Sequence, residues 1–248
     1  MSGPGFRLRV LEALPSTSDL VVRLAEAGEP EGLAILARRQ SAGRGTQGRG
    51  WEGRAGNLHL SVLLRPGGPV RDAPQWGLLA AVALADAIAE CLPDPAALRL
   101  KWPNDVLLGG AKAAGILAEA AATPGDAIAW LSLGFGVNLA HAPEVSGRST
   151  ACLADAGVVP PAPEAFAERL LVALDRRRRE RLLDGFGPIR AAWLARGPAL
   201  DAPLAIRRGG SDITGRFAGL AEDGSLLLAV EGRVHAVATG EVAYREAG

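Results

Sequence analysis

The spacing of apolar and polar positions changes several times along the chain, and each change marks an element. Residues 8–14 alternate weakly and predict a first strand. Pro15, Ser16 and Thr17 supply a turn and a helix N-cap, after which residues 18–27 read as a short amphipathic helix. Residues 33–38 predict an apolar strand that runs into a glycine-rich loop over 43–50, and Leu58–Leu64 predicts the next strand, closed by Pro66 and Gly67. Residues 75–91 are apolar on nearly every side, which predicts a helix buried all round. Leu98–Lys101 predicts a strand stopped at Trp102-Pro103, because the residue before a proline is held extended. Short strands are expected in quick succession over 106–108, 115–120, 127–133 and 136–139. That spacing suits hairpins in a mixed or largely antiparallel sheet rather than a doubly wound one.

The second half is punctuated by prolines over 160–163, and residues 164–183 predict a strong helix carrying Arg176, Arg177, Arg178 and Arg179. The run reads as a solvated helix face, with phosphate contact as the alternative. The texture changes again over 198–203. From Leu204 about five short strands follow, with turns at Gly209-Gly210, Asp223-Gly224 and Glu231-Gly232, which predicts a small β-barrel or sandwich. The expected boundary lies near Asp201, giving units over 1–200 and 201–248. So small a second unit needs the first to bury its remaining apolar face.

Composition narrows the class. In 248 residues, 48% hydrophobic and 22% charged, there is material for a full core, so the chain reads as globular and soluble. Basic and acidic residues balance at 27 each, without the excess that a nucleic-acid-coating surface carries. No secretory signal is visible, and the most apolar stretch, 76–89, is too short for a bilayer and contains Asp86. Nucleic acid and membrane are therefore not expected as partners. Cys91 and Cys152 lack metal-ligand spacing and read as core thiols in a reducing cytoplasm.

One bias points towards chemistry. All but two of the 27 basic residues are arginine, the exceptions being Lys101 and Lys112, and the asparagines are Asn57, Asn104 and Asn138. Where arginine has replaced lysine so widely, the surviving lysines mark places where a compact ammonium is required.

Four stretches gather these residues. Gly43-Arg44-Gly45-Thr46-Gln47-Gly48-Arg49-Gly50-Trp51 combines sharply turning backbone, guanidinium forks for carboxylate or phosphate, and a flat apolar wall. Lys101-Trp102-Pro103-Asn104-Asp105 places an ammonium, an amide and a carboxylate on rigid backbone at a strand end, and Asp105 suits Mg²⁺ directly or through water. Lys112 precedes the apolar run that opens at Gly115, and Gly134-Phe135-Gly136-Val137-Asn138-Leu139 lets backbone approach a ligand closely. Each has a plainer reading: a flexible basic loop, a buried turn capped by Asp105, or structural turns. All five scarce residues fall in or beside these stretches, Asn57 at the entry to the strand after the glycine-rich loop, which favours chemistry.

Taken in order, these stretches resemble the biotin–protein ligase family, in a short form without an N-terminal DNA-binding domain. The resemblance runs from about Ser16 to Leu139 through a Ser-Thr turn, Gln40 before a Gly-Arg-Gly loop ending in Trp51, Gly-x-Asn-Leu, Lys-Trp-Pro-Asn-Asp, Lys-x-x-Gly-Ile-Leu and Gly-x-Gly-x-Asn. It implies an α+β fold: a mixed sheet with helices, like class II aminoacyl-tRNA synthetases, followed by a small SH3-like β-barrel. It implies an ATP-dependent ligase that converts biotin to biotinyl-5′-AMP with Mg²⁺ and forms a C–N bond to a lysine of a biotin carboxyl carrier protein, and it leaves a homodimer open. Carried over residue by residue, Ser16, Thr17, Ser18, Gln40, Gly43, Arg44, Gly45, Thr46, Trp51, Lys112 and Gly115 would bind biotin. Arg44, Arg49, Trp51, Asn57, Lys101, Trp102, Asn104, Lys112 and Asn138 would bind ATP and the adenylate. Lys112 and Arg44 would be catalytic, and Asp105 would hold the metal.

Two positions depart from the pattern: Ser18 stands where an asparagine is common, and Thr46-Gln47 replaces a basic pair of some bacterial members, which bears on how firmly the loop retains the intermediate. A lipoate or octanoate ligase or transferase of the same fold is the alternative, but its basic Ser-Gly-Gly-Gly loop and His-Asp element do not match here. A biotin-responsive repressor is disfavoured because only fifteen residues precede Ser16, too few for a helix-turn-helix module. A pure biotin-binding or scaffolding role requires Lys112 and Asp105 to be misplaced in the fold.

Overall fold

The computed structural model describes residues 5–208 and 211–244, so the expected Gly209-Gly210 turn lies outside the described residues. Seven strands form the first sheet: β1 (Arg7–Leu14), β2 (Leu33–Gln40), β3 (Leu58–Leu64), β4 (Leu98–Lys101), β5 (Asp105–Leu108), β6 (Ala111–Ala122) and β7 (Ile128–Val137). They lie in the order β1-β2-β3-β7-β6-β5-β4, with β1 and β2 parallel and the other neighbours antiparallel. The sheet is mixed, in keeping with the closely spaced strands of the sequence.

Alternation along the strands assigns the two faces. Leu33 and Ile35 of β2 and Leu63 of β3 pack with Val21 and Ala25 of α1 (Thr17–Glu26). Ser16 caps that helix, its hydroxyl accepting from the Asp19 N–H at 3.3 Å, and Asp19 complements the helix dipole. The intervening residues Ala34, Leu36, Leu60 and Val62 point the other way, into the main core with α2 (Ala73–Ala89), α3 (Pro163–Asp184) and α4 (Gly187–Leu194). Because both faces of β3 are covered, its sequence is a continuous apolar run broken only by His59 and Ser61.

The remaining strands, β8 (Pro203–Arg208), β9 (Ser211–Leu220), β10 (Leu226–Val230), β11 (Arg233–Val237) and β12 (Glu241–Tyr244), form a second, antiparallel sheet in the order β11-β10-β9-β8-β12. Among the described residues no pairing joins β11 to β12, and the five-stranded antiparallel sheet is consistent with the expected SH3-like unit. Its inner residues Leu204, Ile206, Phe217, Leu226 and Leu228 join the same apolar cluster as α2, and Phe217 lies 6.4 Å from the Trp193 ring of α4.

Three expectations change, and one helix is added. The strands expected over 127–133 and 136–139 are one strand, β7, because Gly134 and Gly136 sit in regular pleat rather than in a turn. β6 begins before Lys112, not after it. Helix α4 was hidden in sequence by Gly187 and Pro188 at its start. The arginine run of α3 is only half a solvated face: Arg176 and Arg179 are exposed, pairing with Asp86 of α2 and with Asp175, whereas Arg177 and Arg178 are mostly buried against Asp86 and Glu31. Arg196 adds a third cation to Asp86. Burial alone would raise the Asp86 carboxyl, but the hydrogen bond from Arg177 and the charges of Arg177, Arg196 and Arg176 outweigh it and hold its pKa below the usual value.

Candidate active site

The floor of the site is set by strand register. Across β3, β7 and β6, His59 lies opposite Gly136 and Gly136 opposite Gly115; one step along, Ser61 lies opposite Gly134 and Gly134 opposite Leu117. These positions face the α1 side of the sheet, and three glycines there leave a depression that α1 does not fill. A Cβ on Gly136 would overlap the Trp51 indole, one on Gly115 would stand 3.1 Å from Trp51 Cζ3, and one on Gly134 would stand 2.7 Å from Ser18 Oγ. The depression forms a cavity of about 480 Å³, well inside the range of small-molecule sites.

Lys112 reaches this cavity because of a β-bulge. Val106 of β5 pairs with Ala114 and Leu107 pairs with Lys112, so Ala113 is an extra residue in β6. Lys112 and Gly115 are an odd number of residues apart, and in regular pleat they would point to opposite faces. The bulge returns Lys112 to the glycine face, where its Cε and Nζ would stand 3.3 Å from a Cβ on Gly115. Its backbone is tied to the 149–151 segment through Lys112 N–H to Ser149 O at 2.9 Å and Ala151 N–H to Lys112 O at 3.0 Å.

One end of the cavity carries a directed chain of hydroxyls. Gln40 Oε1 accepts from the Thr17 N–H at 2.7 Å and from the Thr17 hydroxyl at 3.0 Å. The Ser61 hydroxyl donates to Thr17 Oγ1 at 2.8 Å, which commits its only proton. In the 3.2 Å contact between Ser18 and Ser61, Ser18 is therefore the donor. Thr17, Ser18 and Gln40 line the cavity. They offer it hydroxyl lone pairs from Thr17 and Ser18 and an amide N–H₂ from Gln40, whose oxygen is already used.

The other end is cationic, and each lining cation has a carboxylate. Lys112 Nζ is 2.5 Å from Asp105 Oδ1 and lies 5.6 Å from the Trp51 ring centroid. Arg44 Nε is 2.7 Å from Asp19 Oδ1, and its Nη2 donates to both oxygens of Glu119 at 2.9 Å. Arg49 and Arg148 donate to the two oxygens of Glu241, at 2.8 Å and 2.7 Å. Behind them Lys101 is half-buried: burial pushes its ammonium pKa down, and although Asp105 and Glu241 pull it up, Lys112 and Arg148 oppose them, so it stays below the ordinary lysine value.

Of the residues expected from the sequence, Thr17, Ser18, Gln40, Arg44, Gly45 and Thr46 line one cavity together with Arg49, Trp51, Asn104, Lys112, Gly115 and Asn138. Ser16, Gly43, Asn57, Lys101, Trp102 and Asp105 are not part of that wall. Asp105 touches it through Lys112. Asn57 and Trp102 are spent on the scaffold: Asn57 Oδ1 accepts the N–H groups of Leu139, Ala140 and His141, each at 3.1 Å, while its amide donates to His141 O at 2.8 Å. Trp102 Nε1 donates to Gly224 O in the turn between β9 and β10 at 3.1 Å, and Trp102 precedes a cis peptide bond to Pro103. The hydrogen-bonding groups of both side chains thus already have protein partners. Asn104 Nδ2 donates to Ile116 O at 2.7 Å and Asn138 Nδ2 to Ala151 O at 3.0 Å, so both fix the cavity walls as well as lining them.

Sequence reasoning missed Ser61, Arg148 and Glu241. Ser61 was signalled by a lone hydroxyl in an apolar strand, which must find a partner when buried. Arg148 is one arginine among many, and Glu241 is distant in sequence from both of its partners.

No group of three or more His, Cys, Asp or Glu side chains that could hold a metal occurs among the described residues. Asp105, a single mostly buried carboxylate beside Lys112, fits Mg²⁺ in the manner that ion usually takes: one protein carboxylate, with phosphate and water completing the shell.

This architecture, a mixed sheet with a glycine-floored cavity between a hydroxyl chain and a cation cluster, is that of a protein ligase that holds a polar ring at one end and anions at the other. The chain belongs to the biotin/lipoate A/B protein ligase family, whose model matches residues 10–138. Within that family it is 40% identical over 205 residues to a biotin–[acetyl-CoA-carboxylase] ligase of Paracoccus denitrificans, covering 78% of this chain and 82% of that protein. It is 35% identical over 252 residues to the ligase of the same name from Mycobacterium tuberculosis, covering 98% and 91%. The biotin protein ligase of Aquifex aeolicus, solved in complex with biotin and ATP, superposes with a TM-score of 0.79 and 26% identity, covering 97% of this chain and 99% of that one.

Proposed function

We infer that this protein is a biotin–protein ligase that activates biotin with ATP to biotinyl-5′-AMP and transfers the acyl group to a lysine of a biotin carboxyl carrier protein. The observation that carries the assignment is the directed hydroxyl chain. A cyclic urea presents N–H donors and a carbonyl acceptor; Thr17 and Ser18 offer lone pairs to the former, and the Gln40 amide offers donors to the latter. A dithiolane ring has neither, and would leave the Gln40 amide N–H₂ and the spare lone pairs of Thr17 and Ser18 without a partner. A site built to hydrogen-bond its substrate rejects an analogue lacking those groups by about 10⁴, so the geometry favours biotin over lipoate within the family.

In the first step the biotin carboxylate attacks the α-phosphorus of ATP; an O–P bond forms and pyrophosphate leaves. Two anions must meet while charge grows on phosphoryl oxygens, so preorganised cations are the physical requirement. Lys112 stands where the carboxylate and the reacting phosphate would converge, with Arg49 and Arg148 beside it. Arg44, held between Asp19 and Glu119, braces the glycine-rich loop over the site and keeps water from the anhydride. Mg²⁺, held by Asp105 together with the nucleotide, would neutralise phosphate charge. In the second step the carrier lysine amine attacks the acyl carbon and expels AMP. Ser16, Asn57 and Trp102 act through their neighbours: the α1 cap, the 139–141 turn and the contact with the second sheet. The free thiols Cys91 and Cys152 suit a cytoplasmic setting.

Incubation with biotin, ATP, Mg²⁺ and a biotin carboxyl carrier domain, followed by intact-mass analysis, tests this. The expected result is a carrier heavier by one biotin, dependent on ATP. An unmodified carrier under conditions where a known ligase modifies it contradicts the assignment.

A further inference from the structure

We propose that Glu241 competes with the phosphates of ATP and of pyrophosphate for Arg49 and Arg148, and so sets how tightly the cavity holds polyphosphate. The proposal rests on the reading of the cavity as an ATP site. Arg49 comes from the glycine-rich loop, Arg148 from the segment that pairs with Lys112 at Thr150, and Glu241 from β12 of the second sheet. Both arginines line the cavity, and Glu241 grips them from behind, outside the lining. Its two oxygens are divided between them, at 2.8 Å and 2.7 Å, so one negative charge serves two guanidinium groups. A polyphosphate offers more charge and more acceptors to the same N–H groups, and must take them from Glu241 to use them fully.

Glu241 is anionic at neutral pH. Burial pushes its carboxyl up, but the hydrogen bond and charge of Arg49, and the charges of Arg148 and Lys101, hold it below the usual glutamate value. The contact is not what docks the second sheet. That task falls to Trp102 donating to Gly224 O, Gln75 donating to Glu222 O, Arg190 donating to Leu220 O, and Phe217 packed on Trp193. A carboxylate on the two phosphate-facing arginines weakens the product complex as well as the substrate complex, which favours departure of pyrophosphate after adenylation. Glu241 is a positioning residue: it acts through the arginines and not on the reacting atoms.

The test uses the full-length protein and its Glu241→Gln and Glu241→Asp variants, with biotin-dependent ATP–pyrophosphate exchange and inhibition by inorganic pyrophosphate as readouts. In Glu241→Gln, KM for ATP and the inhibition constant for pyrophosphate are each expected to fall by about threefold or more, while KM for biotin moves by less than about twofold. Glu241→Asp keeps the charge on a shorter stem and falls between the two, and it carries the test alone if the glutamine variant does not fold. A KM for ATP that rises, or constants unchanged in folded variants of an active enzyme, overturns the proposal while leaving the ATP reading intact. A wild type without biotin-dependent exchange overturns both.

Discussion

The indole of Trp51 lies on the backbone of Gly136, in the volume a side chain at that position would fill; a Cβ there would stand 2.6 Å from both Cζ2 and Nε1 of the ring. The glycine is thus kept for its absence of bulk, and it is what lets the glycine-rich loop seat its aromatic wall on the sheet. Gly136→Ala is expected to lift Trp51 off β7 and to raise KM for biotin and ATP by about tenfold, since small displacements of positioning groups carry large kinetic costs. Strand pairing is retained, because Gly136 does not use a left-handed conformation. Steady-state kinetics checks this, and unchanged constants with unchanged tryptophan fluorescence contradict it.

Lys112 depends on the bulge at Ala113 for its direction and on Asp105 for its pairing. Lys112→Ala, and also Lys112→Arg, is expected to lower adenylate formation by more than about tenfold with the fold intact, because a planar guanidinium does not reproduce a compact ammonium at a converging point. Pyrophosphate release from the purified variants is the measurement. Near-normal release contradicts the role.

Asn57 makes four hydrogen bonds to the 139–141 turn, three as acceptor and one as donor. Aspartate keeps the acceptor but cannot donate to His141 O, and alanine removes the acceptor of three N–H groups, of which that of Leu139 is buried. Asn57→Ala is expected to cost about 1–3 kcal/mol of stability or more, with Asn57→Asp milder. Denaturant unfolding measures this, and a midpoint unchanged by alanine contradicts the structural assignment.

Asp86 binds Arg176, Arg177 and Arg196 and is almost fully buried. Asp86→Asn leaves the mostly buried Arg177 and the partly buried Arg196 without their counter-charge and is expected to cost about 3–5 kcal/mol, the usual range for breaking a buried ion pair. The pH dependence has a definite sign. The folded-state pKa of Asp86 is depressed, so its stabilising contribution is present above the unfolded aspartate value near 4 and is lost as pH falls through the folded one. The wild type therefore loses stability in acid that the asparagine variant lacks from the outset. Unfolding midpoints over an acid series check this; parallel curves for the two proteins contradict it.

The elements most legible in the sequence were those whose patterns have a single reading. Helix α2 is apolar on all sides and is buried on nearly all of them; β3 is a seven-residue run bounded by Asn57 and Arg65. Much of the site was legible because Lys112, Asn104 and Asn138 are scarce residue types, and all three line the cavity. Scarcity does not separate the two uses of an amide: Asn57 holds the 139–141 segment by four hydrogen bonds, and composition alone cannot distinguish that from ligand binding. What stayed hidden depends on pairing between distant segments. The bulge that turns Lys112 inward exists only in the register of β5 with β6, Arg177 and Arg178 of α3 look solvated until Asp86 and Glu31 are set against them, and Glu241 meets Arg49 only when the second sheet docks.

The central claim is that the Ser18–Ser61–Thr17–Gln40 chain selects a ureido ring for adenylation. Biotin-dependent and lipoate-dependent ATP–pyrophosphate exchange, measured side by side on the wild type, tests it most directly. Robust exchange with biotin and none above background with lipoate is the predicted result. Equal exchange with the two acids, or exchange with lipoate alone, contradicts it.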